Sequence, residues 1–284
     1  MTSPHTAVPA PTLAVVGATG AVGRVVLQVL PTRGVVWDRI KLAAAPEDAG
    51  EVIVVGGREL LVEPLTEDFF DDVDIAVVDI PPEIVPRWAE YAAGRGVVVI
   101  DNSPVYRSDP RVPLVVSEVN PLRAKDRPRG IISMPGATVM TMIDALAALH
   151  AGWQLEEVVV TTLQAASGLG RKGMQRLYDE IAVVAGNRQL GQRPGDVRRL
   201  IEHELGEGVF PGPLALNVLP MVGHLADDGW TSEEVKVREE TRRILAVPDL
   251  KVSVTCVRVP VISSHSITVH AVFARPLTVT EARQ

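Results

Sequence analysis

Four apolar residues, Leu13 to Val16, run directly into Gly17-Ala18-Thr19-Gly20-Ala21-Val22-Gly23 and then into a helical pattern that Pro31 stops. No other feature constrains the fold as strongly. The missing Cβ atoms permit a tight strand-to-helix turn. Behind it, a helix N-terminus offers free N–H groups and the positive end of its dipole to a pyrophosphate. Glycines that serve packing alone would look similar. The position after the first strand of an alternating pattern favours dinucleotide-binding ancestry, with Gly17, Thr19, Gly20, Ala21 and Val22 as the cofactor-facing residues.

The alternation continues with expected strands over 40–44, 53–55, 75–78, 97–100 and 131–132 and a helix over 84–93. Strands alternating with helices predict an α/β fold with a Rossmann-type, doubly wound parallel sheet. From about residue 134 the pattern changes. An apolar helix over 138–149 is followed by β-rich runs over 155–164, 251–261 and 267–273, with helical segments over 173–184 and 232–244. The chain thus divides into a dinucleotide-binding-like domain over 1–133 and an α+β domain over 134–284. Where the second strand ends, an Arg or Ser would suit a ribose 2′-phosphate and an acid a free 2′-hydroxyl. The residues there are Ala43-Ala44-Ala45-Pro46-Glu47-Asp48, so NADP is disfavoured, and the expectation is NAD bound weakly or no cofactor.

Composition removes other classes. With 284 residues, 46% of them hydrophobic and 22% charged, the chain is ordinary for a globular protein and long enough for two cores. A net charge of −7 without a basic stripe argues against nucleic acid. The lone Cys256 builds neither an internal disulfide nor a cysteine-rich metal site, which suits a reducing cytoplasm. The apolar stretch over 13–30 is interrupted by three glycines and Arg24, so it makes a poor membrane span. The opening MTSPHTAVPAP lacks a signal-peptide pattern and reads as a loose tail. His5, His150, His203, His224 and His270 show no ligand spacing, so no metal site is expected.

Five blocks carry a resemblance that spans nearly the whole chain: VVGATGAVG (15–23), DNSPVYRSDPRVPLVVSEVNP (101–121), TTLQAASGLGRKG (161–173), EEVKVREETRRIL (233–245) and VSVTCVRVPVISSHS (252–266). In this order they resemble the aspartate-β-semialdehyde dehydrogenase family, an oxidoreductase family of amino-acid biosynthesis. Its members make aspartate semialdehyde from aspartyl-4-phosphate with NADPH, through a cysteine thioester that hydride then reduces. The resemblance makes 134–284 the substrate-binding and dimerisation domain. It implies that Gln164 orients the acyl intermediate, that His265 is the general acid/base, and that Arg258 pairs with the substrate carboxylate. Glu233 and Lys236 would meet the substrate amine and phosphate, and Arg107 the phosphate.

The chemical centre departs from the family pattern. Where the family has Asn-Pro-Asn-Cys-Ser/Thr, this chain has Met134-Pro135-Gly136-Ala137-Thr138, and alanine offers no thiol. Thr138 is expected to cap a helix, and Cys256 to be a small core residue. Asp79-Ile80-Pro81-Pro82 replaces a small Ser/Gly-rich loop, and the chain stops at Gln284, before the family's C-terminal segment. The implied function is an aspartate-like or phosphorylated ligand pocket with non-thioester chemistry, or with none. The alternatives are a non-catalytic partner that pairs with itself or an active relative, and, third, an ordinary NADP-dependent dehydrogenase. In the resembled family the second domain's sheet and the helical segment after the Gln-Ala-x-Ser-Gly turn form a two-fold dimer interface; over 173–184 Met174, Leu177, Ile181 and Val184 are apolar at helical spacing, which a face packed on its own domain's sheet would also show. The expectation is a homodimer or a heterodimer with a relative, and no membrane partner.

Overall fold

In the computed structural model, which describes residues 10–35 and 37–284, β1 (Leu13–Val16) is buried along its whole length. The first nine residues of the expected tail, with His5, lie outside the described residues. The chain forms two compact units, Met1–Pro135 and Gly136–Gln284.

In the first unit β1 leads through the glycine turn into α1 (Ala21–Val29). Then come β2 (Ile40–Ala44), β3 (Val52–Val55), β4 (Arg58–Pro64), β5 (Ile75–Val78), α2 (Val85–Gly94), β6 (Val98–Asp101) and β7 (Ile131–Ser133). The sheet order is β3-β4-β2-β1-β5-β6-β7, parallel throughout except for the antiparallel β3–β4 hairpin. Alternate residues of β1 serve opposite faces: Leu13 and Val15 pack with Leu27 of α1, whereas Ala14 and Val16 join Val85, Trp88 and Ala89 of α2. This two-sided burial makes central strands read as continuous apolar runs. The parallel, doubly wound sheet is the fold class expected from the sequence.

β4 was not expected. Gly56 and Gly57 have φ of +57° and +82°, and both join Val55 to Arg58. A two-residue turn with positive φ at both positions matches the right-handed twist of a hairpin.

The second unit comprises α3 (Ala137–Met140), α4 (Ile143–Trp153), β8 (Leu155–Gln164), α5 (Gly170–Val184), α6 (Asp196–Leu205), α7 (Ser232–Leu245), β9 (Lys251–Arg258), β10 (Ser266–Phe273) and α8 (Val279–Ala282). Its sheet has the order β10-β8-β9, with β9 parallel and β10 antiparallel to β8. The single helix expected over 138–149 is broken into α3 and α4. At the break the Thr141 hydroxyl donates to the Ala137 carbonyl at 2.9 Å, a back-bond that bends helices, and Met142 N–H reaches Val139 O, one residue short of helical spacing. β9 stops at Arg258 rather than Val261, because Pro260 follows and Arg258 exchanges both backbone bonds with Leu219.

The expected dimer face of α5 needs correction. Leu177 and Val184 pack inside the unit against Ile201, Phe210 and Leu214, while Ile181 stays 41% exposed. The sheet, the other part of the expected interface, shows Val159, Leu163 and Val272 at the surface on one face. Among the described residues no helix is long and apolar enough to cross a membrane.

Candidate functional site

The second unit holds five of the six expected catalytic and substrate-binding residues, gathered near the C-terminal ends of β8 and β9. Gly136 precedes α3 in extended conformation, and its N–H donates to Glu240 Oε2 of α7 at 2.7 Å. Glu240 is buried despite its charge, so this bond anchors the turn before Ala137. Ala137 opens the helix, and Thr138 does not cap it: the cap position belongs to Gly136. The Thr138 hydroxyl instead donates to Glu233 Oε1 at 2.9 Å and accepts from Gln164 Nε2 at 2.7 Å. Gln164 Nε2 also lies 3.1 Å from the same Glu233 oxygen, so side chains from α3, β8 and α7 close a triangle. Gln164 and Thr138 are each 2% exposed. Lys236 Nζ sits 3.9 Å from Glu233 Oε2, a pair one helical turn apart and partly open to solvent.

Arg258 and His265 meet on the backbone of one residue, Ala165. Arg258 Nη1 donates to the Ala165 carbonyl at 2.7 Å, and Ala165 N–H donates to His265 Nδ1 at 3.2 Å. Arg258 is 4% exposed, and its guanidinium makes no other hydrogen bond to a described residue. Burial lowers its pKa, and the Glu233 carboxylate works against that. A buried guanidinium with so much unused donor capacity is a site for an oxyanion. Because His265 Nδ1 accepts a backbone N–H, its ring is neutral with the proton on Nε2. Burial first and the Arg258 charge second hold its pKa below the usual value, against an opposing pull from Glu233. The preceding Ser264, at φ +76°, turns the chain so that the ring reaches Ala165. Cys256, fully buried, has its thiol pushed up to about 12, chiefly by burial, which leaves it inert.

The remaining expected residues belong to the first unit. Gly17 has φ +92°, and a Cβ there would lie 2.0 Å from the Asp79 carbonyl oxygen, so only glycine fits. No side chain caps α1, and Ala21 and Val22 of its first turn are exposed. Thr19 is buried, and its hydroxyl donates to Asp48 Oδ2 at 2.6 Å. Arg107 Nη2 donates to Asn102 O at 2.7 Å, while Asn102 Nδ2 holds Asp79 Oδ1 at 2.8 Å. The structure therefore adds Thr138 and Glu240 to the expected residues of the second unit, and Asn102 to those of the first. Glu240 had a signal: it falls on the same helical face as Val237 and Ile244, both buried.

Comparison with known proteins identifies the family. Residues 12–127 match the semialdehyde dehydrogenase NAD binding domain, and residues 146–284 the semialdehyde dehydrogenase dimerisation domain. The chain is 39% identical over 279 residues to aspartate-semialdehyde dehydrogenase of Corynebacterium glutamicum, covering 96% of this chain and 80% of that protein. The chain belongs to the aspartate-semialdehyde dehydrogenase family. The enzyme of Streptomyces akiyoshiensis is 40% identical over 272 residues, covering 95% of this chain and 78% of that protein. Among solved structures of the family, aspartate semialdehyde dehydrogenase II of Vibrio cholerae, complexed with ASA, has a TM-score of 0.86 and 33% identity, covering 97% of this chain and 78% of that one. The family's NAD-binding region contains the glycine turn, and its dimerisation region contains Gln164, Glu233, Lys236, Arg258 and His265.

Proposed function

We propose that this member of the family holds a pocket for a small aspartate-like or phosphorylated ligand but does not carry out thioester chemistry. The observation that carries this reading is the polar network beside Ala137. The Thr138–Gln164–Glu233 triangle and the Arg258–Ala165–His265 link are formed next to a residue with no nucleophilic atom. In this reading Arg258 takes the ligand carboxylate and Glu233 with Lys236 takes its amine and any phosphate; Arg107, in the first unit, matches the phosphate-binding arginine of the family. His265, neutral and with Nε2–H exposed to the ligand, is the acid/base if any reaction occurs. Gln164 orients the bound acyl group. On the cofactor side the glycine turn disfavours NADP and takes NAD weakly or nothing. The assembly is a dimer, with itself or with a family relative, through the sheet face that carries Val159, Leu163 and Val272. The lone, buried thiol suits a cytoplasmic protein.

The alternative, a purely structural partner, draws on that same open sheet face and needs no pocket. A thermal-unfolding panel with L-aspartate, succinate and phosphate separates the two. A ligand that binds only the native state adds RT ln(1 + [L]/Kd), about 2.7 kcal/mol at one hundred times Kd. Stabilisation that Arg258→Ala abolishes supports the pocket. No shift with any of these ligands leaves the structural role.

A further inference from the structure

The glycine turn fits a dinucleotide in its backbone and rejects one kind in its side chains. Gly17 and Gly23 are so closely packed that a Cβ would lie 2.0 and 2.2 Å from backbone oxygens of Asp79 and Gly17, and the first turn of α1 carries no side-chain cap. Those contacts hold the strand-to-helix turn tight, and the uncapped N-terminus of α1 behind it is the helix end that favours a diphosphate. The adenosine end differs. Gly17 and Ala18 N–H both donate to Ala43 O, which ties the end of β2 to the turn. Five residues on, the Asp48 carboxylate takes the Thr19 hydroxyl through Oδ2, and its Oδ1 has no partner among the described residues. Arg24, the cation on α1, is already paired with Glu51 at 2.5 Å. A second carboxylate, Asp79, is held by Asn102 with Oδ2 3.9 Å from where a Gly20 Cβ would stand.

We propose that Asp48 is the ribose-reading residue of this chain and that it selects a dinucleotide with a free 2′-hydroxyl, NAD, over one with a 2′-phosphate, NADP. This rests on the reading that the turn disfavours NADP, and it names the residue responsible. An ionised carboxylate accepts hydrogen bonds and donates none, so it matches a ribose hydroxyl and repels a phosphate dianion. Thr19 fixes the orientation: with Oδ2 occupied, Oδ1 is the atom presented to the ribose. Asp79 adds to the repulsion of extra negative charge near the turn without reading the ribose.

The test is calorimetric titration of the full chain with NAD and with NADP, using the unaltered protein, Asp48→Asn and Asp48→Arg, with melting curves to establish that each variant is folded. The unaltered protein should bind NAD at least about tenfold more tightly than NADP, a ratio worth about 1.4 kcal/mol. Asp48→Asn, which still accepts from Thr19, should bring the two affinities within about threefold, and Asp48→Arg should reverse the order. Tighter binding of NADP by the unaltered protein overturns both this proposal and the reading beneath it. A preference for NAD that survives both substitutions overturns the role of Asp48 alone. Binding of neither dinucleotide at millimolar concentration also overturns the proposal.

Discussion

Gly168→Ala tests the anion pocket with a single added methyl group. The backbone at Gly168 lies outside the left-handed region, so alanine is conformationally allowed there. Its Cβ would stand 2.6 Å from Arg258 Nη1 and 3.5 Å from Cζ. The guanidinium has to move, and moving loosens its bond to the Ala165 carbonyl at 2.7 Å. A hydrogen bond to a charged group contributes about 1.5–3 kcal/mol. Replacing glycine by alanine returns about 0.4–1 kcal/mol through the less flexible unfolded chain. The net loss is therefore about 0.5–2.5 kcal/mol, and at about 2–4 °C per kcal/mol the Tm falls by about 1–10 °C. Affinity falls further, because the fork that grips the ligand carboxylate is displaced. Losing one charge-assisted bond of about 1.5–3 kcal/mol weakens L-aspartate or succinate binding by about tenfold to a hundredfold. Calorimetric titration beside a melting curve reads both effects, and Arg258→Lys should reproduce the affinity loss, since an ammonium has no fork. Unchanged Tm and unchanged affinity in Gly168→Ala would refute the claim that Arg258 is held against Gly168 as the anion-binding group.

Three further outcomes follow from the geometry. Thr138→Val removes a donor to Glu233 and an acceptor for Gln164 while keeping the volume, and should cost about 1–3 kcal/mol in urea unfolding, whereas Thr138→Ser should stay within about 1 kcal/mol; equal stability of all three proteins would refute a stabilising role for the Thr138–Gln164–Glu233 triangle. Cys256, with its thiol pushed up to about 12, should not react with an aromatic disulfide reagent in the native protein at pH 8 and should titrate fully in guanidinium. For His265 the folded pKa lies below the unfolded value, so the unfolded chain takes the proton first as pH falls. Its contribution to stability is complete above about pH 6.5 and declines as the pH drops from there through the folded value. His265→Gln should flatten that part of the stability–pH curve, measured by urea unfolding between pH 5 and 8.

The legible parts of the fold are those where local pattern and tertiary environment agree. β1, β2 and β5 are buried on both faces, so their apolar runs read directly as parallel strands, and Pro31 marked the end of α1. β4 was missed because its residues, RELLVEP, are largely exposed and charged, although the Gly56-Gly57 pair before it was a hairpin signal. α6 was missed for a related reason: Ile201 is its one buried side chain, too little for a periodic stripe. The site divides in the same way. Arg258, Gln164 and His265 could be picked out because whole motifs carried them, but the linking role of the Ala165 N–H and carbonyl is a backbone property that no residue type announces. Thr138 was misassigned because a threonine at a helix start usually caps it. Here Gly136 takes the cap position, and Glu233, ninety-five residues on, captures the hydroxyl.

Formation of reduced nicotinamide from aspartate semialdehyde and phosphate, followed by absorbance with NAD and with NADP, tests the proposed absence of thioester chemistry directly. Removing the nucleophile of a covalent mechanism typically costs about 10⁴–10⁶ in rate, so the purified protein should show no turnover above the no-protein background with either cofactor. Turnover above that background, abolished by His265→Gln, would mean that the site performs the family reaction without a cysteine at position 137 and would contradict this account.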